Sequence, residues 1–192
     1  NQATIPSGGT IDLQVADGTE DLSHATTFDG GTGTLLISGA GTDTLTLAAG
    51  PIMGVQLNAA NVTLRGPASG TATFEGTTPS LEIKTGTLNW AASGTGSLTV
   101  NLAYIQSGGT FDGTNTSGTL TVTGEFTLSS GTFTGEATTT LNGDITLSGG
   151  TFNARTTTNI GNASGDTFSI TSGTFNAAGT VTVNATTNSI SG

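Results

Sequence analysis

The feature that most constrains this chain is an internal repeat punctuated by a Gly-Thr corner. LEIKTGTL at 81–88, YIQSGGTF at 104–111, FTLSSGTF at 126–133, ITLSGGTF at 145–152 and FSITSGTF at 168–175 align as copies of one unit, with starts 23, 22, 19 and 23 residues apart. A period of that size signals a solenoid or array, in which each unit buries its apolar face only against its neighbours. A looser copy, TIPSGGTI, occupies 4–11.

Composition decides what the repeating unit is made of. Threonine fills roughly a fifth of the chain, 31 residues are glycine and only 8% are charged. Threonine is β-branched and loses rotamer freedom in a helix, while glycine marks tight corners, so the mixture reads as many short strands. Each corner is followed by a small or polar stretch and then a second β-run, as in SLTV at 97–100, TLTVT at 119–123 and TVTV at 180–183. A period therefore holds about three strands. A three-sided coil of such strands, each hydrogen-bonded to its equivalent one coil away, rises by about 4.8 Å per coil. Roughly nine coils would make a rod on the order of 40 Å long.

Alternation within the repeat predicts the interior. Phe126 and Leu128 point one way, as do Ile145 with Leu147 and Phe168 with Ile170. Past the corner, Leu88, Phe111, Phe133, Phe152 and Phe175 should pile into one internal ladder, where offset ring contact is favourable. The intervening threonines are expected to face water. Residues 81–192 form the regular repeats, and residues 1–80 read as irregular coils of the same single domain, with strand-like runs at TLLIS 34–38, TLTLA 44–48, NVTLRG 61–66 and TATFEG 71–76. EDLSHA at 20–25 could form one helical turn.

NVTLRGPASGTATFEG at 61–76 resembles the coil-to-coil passages of right-handed parallel β-helix proteins, the pectate-lyase-like superfold. The SGGTF, TLTV and SGTF units downstream are similar to the repeats of bacterial surface proteins and autotransporter or haemagglutinin-type adhesins. Together these place the chain in the all-β class as a right-handed parallel β-solenoid of roughly 22 residues and three short strands per coil. The resemblance implies a secreted or cell-surface protein of the kind found in fibres and biofilms. Such a fold hosts lyases, adhesins and plain fibres alike, so function must be argued from sites.

Chemistry-bearing residues are scarce. A polysaccharide lyase needs a basic residue beside a calcium site, and a hydrolase needs a close pair of carboxylates. Arg65, Lys84 and Arg155 are the only cations and share no local motif. The single histidine, His24, lies near Glu20, Asp21 and Ser23, but a metal site or triad needs further groups at defined spacing. No catalytic, cofactor-binding or metal-ligating residue is assigned, and the expectation is a non-enzyme without cofactor. Calcium is the one ion left open, through Asp43, Asp112, Asp144 and Asp166 in Gly- or Asn-rich corners, although neither the nonapeptide repeat nor an EF-hand loop is present. The net charge of -10 excludes a nucleic-acid partner, since phosphate binding needs clustered Lys and Arg. There is no cysteine, so no disulfide contributes. No apolar run is long enough to insert in a membrane. The sequons at Asn61, Asn115, Asn162 and Asn184 are no more than chance supplies. Thr-x-Thr runs at 44–46, 121–123, 138–140, 156–158 and 180–182 raise ice binding as an alternative.

The ends point to self-association. A solenoid has two open coil faces with unpaired backbone groups, which isolated proteins usually cap. NSISG at 188–192 matches the segment that precedes each Gly-Thr-Phe corner, and TIPSGGTI looks like the complementary half. Ile5, Ile11, Val183 and Ile190 are therefore expected at a head-to-tail junction, either between copies, a contact that does not close and so builds filaments, or between successive segments of a longer repeat protein. Surface glycans are the other expected partner, through an adhesin stalk.

Overall fold

The computed structural model describes residues 10–14, 33–76, 79–90, 96–114 and 117–191. Among them are nineteen strands and no helix, and every strand pairing is parallel. The chain is a parallel β-solenoid of about seven turns with equivalent strands about 22 residues apart. Ile5 and the run EDLSHA with His24 lie outside the described residues.

Each coil has three faces. The first face is built from β1 (Thr10–Gln14), β2 (Thr34–Ser38), the start of β5 (Gly54–Arg65), the start of β7 (Leu81–Asn89), β9 (Tyr104–Gln106), β12 (Phe126–Leu128), the starts of β15 (Ile145–Ala154) and β17 (Thr167–Ala177), and β19 (Thr187–Ile190). The second holds β3 (Asp43–Thr46), the ends of β5 and β7, β10 (Thr110–Asp112), β13 (Thr132–Thr134), and the ends of β15 and β17. The third holds β4 (Gly50–Ile52), β6 (Thr71–Phe74), β8 (Ser97–Val100), β11 (Thr119–Val122), β14 (Thr138–Leu141), β16 (Thr157–Ile160) and β18 (Thr180–Val183). The described turns run from Thr34 to Thr187.

Period-two alternation turns every other side chain inward, and in-register stacking arranges these into continuous ranks. On the second face, Leu45, Leu64, Leu88, Phe111, Phe133, Phe152 and Phe175 are paired in that order. Rings at 111 and 133, 133 and 152, and 152 and 175 stack with centroids 5.0, 4.7 and 5.0 Å apart. The first face contributes Leu35, Val55, Leu81, Tyr104, Phe126, Ile145 and Phe168, and Tyr104 stacks on Phe126 at 4.8 Å. The third contributes Phe74, Val100, Val122, Leu141 and Ile160, all fully buried. Burying each such side chain contributes about 1.5–3 kcal/mol, and without a disulfide this stacking is what holds one coil on the next.

Not every inward position is apolar. Gln106 occupies the rank between Ile83 and Leu128 and is fully buried. Its carboxamide is satisfied: Tyr104 Oη donates to Gln106 Oε1 at 2.6 Å, and Gln106 Nε2 donates to the carbonyls of Gly109 at 3.2 Å and Thr132 at 3.0 Å. A buried polar group costs little when its partners are all in place. On the third face Thr139 and Thr158 also point inward and are buried, a departure from the expectation that the threonines between ladder positions face water. Leu120 and Val181 hold the same rank on either side; Thr139 Oγ1 donates to the Glu136 carbonyl at 3.4 Å, whereas Thr158 Oγ1 is buried without a hydrogen-bond partner.

Candidate functional site

Leu88, Phe111, Phe133 and Phe152 are buried in the ladder, and Phe175 is partly buried against it. Their role is cohesion between coils. The expected junction residues sit differently. Ile11 pairs with Leu35, which puts it at the start of the first face; TIPSGGTI is therefore out of phase with the Gly-Thr-Phe corners, where the equivalent position pairs along the second-face ladder. NSISG is in phase, because Ile190 pairs with Ile170. Val183 extends the third-face rank from Ile160. Ile190 is 73% exposed and Val183 40%, against 0% for Ile160 one coil below.

The four corner aspartates are bound into the backbone. Asp43 Oδ1 accepts from the Thr44 N–H at 2.7 Å and Asp112 Oδ1 from the Thr114 N–H at 3.1 Å. Asp144 Oδ1 accepts from the N–H and hydroxyl of Thr167, one coil later, at 2.9 and 3.0 Å. Asp166 Oδ2 accepts from the N–H groups of Asn162 and Ala163, both at 2.8 Å. The Asp112 contact closes an Asx-type turn, the Asp166 contacts close its own loop, and the Asp144 contacts tie one coil to the next. Among the described residues no group of three or more histidines, cysteines or acids stands close enough to hold a metal ion. The three cations are dispersed: Arg65 ends β5 on the second face, Lys84 pairs with Glu82 at 3.4 Å on the first, and Arg155 Nη1 donates to the Gly113 carbonyl at 2.9 Å.

One titratable cluster is not visible in the sequence. Glu136, at the corner between β13 and β14, is fully buried, and neither carboxylate oxygen has a hydrogen-bond partner. Its side chain reaches under the corner of the preceding coil, where a Cβ on Gly118 would lie 2.3 Å from Oε2. Burial pushes its carboxyl up from 4.5 to about 8, with nearby Arg155 pulling it back and Asp112 adding to the rise. The folded state then holds this proton more tightly than the unfolded chain. Stability is full below about pH 4.5 and falls as pH rises towards 8. Between pH 5 and pH 9, urea unfolding is expected to lose on the order of 2 kcal/mol, after discounting for solvent screening. Glu136→Gln should flatten that dependence.

The outward side chains differ from face to face. On the third face two ranks run side by side: Thr71, Ser97, Thr119, Thr138, Thr157 and Thr180 in one, and Thr73, Thr99, Thr121, Thr140, Asn159 and Thr182 in the other. The runs at 138–140 and 180–182 lie in this array. At 121–123 and 156–158 the outward phase is instead 119 with 121, and 157 with 159, because Thr123 has passed the end of β11 and Thr158 points inward. The run at 44–46 lies on the second face, in β3. There a rank from Thr44 through Thr63, Thr87, Thr110, Thr132 and Thr151 to Thr174 has beside it Arg65, Asn89 and Asp112. The outward first-face rank carries Asp12, Gln56, Glu82 and Ile105.

Comparison with protein-family models, with curated proteins and with solved structures returns no match.

Proposed function

We infer that this chain is a non-enzymatic structural protein, a secreted or cell-surface rod element that lengthens by stacking its last described coil on a coil of a second copy. The uncovered coil face carries this reading. Val183 continues a rank that is buried in every coil below, and Ile190 one whose next member, Ile170, is already only partly buried; the two stand 40% and 73% exposed. A surface that would cover them must bring parallel β-strands in the same phase, to pair with the free edges of β18 and β19, and an apolar rank to continue the interior. Another copy of this solenoid has both. The low charge, the hydroxyl-rich exterior and the likeness of the SGGTF and TLTV units to bacterial surface-protein repeats favour an extracellular setting, in a filament or biofilm.

The test is assembly state. Wild-type protein at rising concentration should give growing, elongated particles by light scattering and thin filaments by electron microscopy. Val183→Lys with Ile190→Lys, which would bury two charges at the junction, should remain monomeric with unchanged circular dichroism. A wild-type chain that stays monomeric at high concentration contradicts the proposal, and glycan binding by that monomer would turn the reading to an adhesin stalk.

A further inference from the structure

The lateral surface of the third face has a regularity that coil stacking does not require. From β6 to β18, ten of the twelve positions in its two outward ranks are threonine, the others being Ser97 and Asn159, and Pro51 of β4 precedes Thr73 in the second rank. Adjacent positions within a rank are about 4.8 Å apart along the backbone, the strand spacing, and the ranks are about 6.7 Å apart, two residues along a strand; at one place the hydroxyls draw together, Thr119 Oγ1 donating to Ser97 Oγ at 2.9 Å. The result is a rectangular net of hydroxyl and methyl groups. We propose that the third face binds the surface of ice, its threonine net matching a repeating layer of water oxygens.

Three observations carry this. The seven strands of the face contain no charged residue, although charges occur on both other faces. A charged side chain imposes a radial hydration shell that does not fit a crystal layer, so its exclusion from one face alone favours an ordered, neutral occupant. Every pairing on this face is free of register shifts, those of the β5–β7 and β15–β17 pairings falling at the corner between the first and second faces. The net is therefore unbroken along the rod. Threonine itself is restricted at χ1, so each hydroxyl is held in a repeating orientation before contact, and little side-chain entropy is lost on binding. Both net spacings are of the order of the oxygen repeats on the surfaces of hexagonal ice, and the γ-methyl groups provide apolar contact between hydroxyls. A crystalline polysaccharide is the competing periodic surface. No outward position of the net carries an aromatic ring, the group on which sugar faces stack.

The test uses ice itself. Dye-labelled wild-type protein should partition onto a growing ice hemisphere and slow recrystallisation in a frozen sucrose film. Thr121→Lys, at the centre of the net, should reduce ice partition at least tenfold, while Thr127→Lys, outward on the first face, should leave it unchanged; circular dichroism confirms that both fold. Exclusion of the wild type from ice, or equal loss in the two variants, overturns the proposal. So does retention on crystalline cellulose or chitin without ice partition. The outcome is independent of end-to-end stacking, because the double lysine variant at Val183 and Ile190 leaves the net intact and should still bind ice.

Discussion

Phe133→Ala is expected to lower stability by about 3–5 kcal/mol, the range for removing a large buried aromatic side chain. The residue sits mid-ladder, stacked on Phe111 at 5.0 Å and Phe152 at 4.7 Å, with Phe126 and Tyr104 edge-on at 5.0 and 5.7 Å. Removing the ring opens a cavity against four others, and each aromatic pair lost adds about 0.5–1.5 kcal/mol beyond area burial. Because a solenoid couples each coil only to its neighbours, the loss falls on two interfaces at once. Phe175→Ala, at a partly buried position with one stacked neighbour, Phe152, and one edge-on, Phe168, should cost about half as much. Urea unfolding followed by far-ultraviolet circular dichroism measures both, and equal costs for the two variants would show that the ladder is not what binds the coils.

Gly131→Val should be more damaging still. Gly131 turns the corner between β12 and β13 with φ of +83°, a conformation that costs a residue with a Cβ about 1–2 kcal/mol and is worst for a β-branched one. A Cβ there would lie 2.3 Å from the Gly109 carbonyl oxygen, the group that accepts the Thr132 N–H at 3.0 Å. The corner glycines are piled on each other, so relief at one displaces the next. The expected loss exceeds about 4 kcal/mol, enough to prevent recovery of folded protein at 37 °C. At Gly165, with φ of +110° and nothing within 4 Å of an added Cβ, alanine should cost only the backbone strain, about 1–2 kcal/mol. Thermal unfolding of the two variants separates strain from collision.

Where the chain uses a Gly-Thr corner followed by phenylalanine, the fold could be read directly, because an aromatic residue stands out in a threonine background and recurs in phase. Leu45 and Leu64 extend the same ladder but were hidden: the corner in β5 is made by NAAN at 58–61, and leucine does not advertise a phase. The third face was blurred for the opposite reason. TTT at 138–140 has no alternation to read, so nothing separates the buried Thr139 from the outward Thr138 and Thr140. Gln106 stands at the inward position held by Leu128 and Leu147 in later repeats, but that its carboxamide is satisfied there, by Tyr104 and two carbonyls, is a property of the folded coils. Glu136 could not be found at all, since its burial comes from Gly113 and Gly118 of the preceding coil closing over it. The hydroxyl net was half visible as Thr-x-Thr runs, but which of them share a face is a property of register.

The central claim is that equivalent strands of successive coils lie parallel and in register, and cysteine pairing tests it most directly in a chain with no cysteine of its own. Thr110 pairs with Thr132, and Thr121 with Thr140, at the strand spacing of about 4.8 Å, within the Cα separation of about 4.4–6.8 Å that a disulfide spans. Thr110→Cys with Thr132→Cys, and Thr121→Cys with Thr140→Cys, should each close rapidly within the monomer under mild oxidation, while the cross-combination Thr110→Cys with Thr140→Cys, on different faces, should stay reduced. Closure of the cross-combination, or failure of both in-register pairs in folded protein, would contradict the stacked parallel coil.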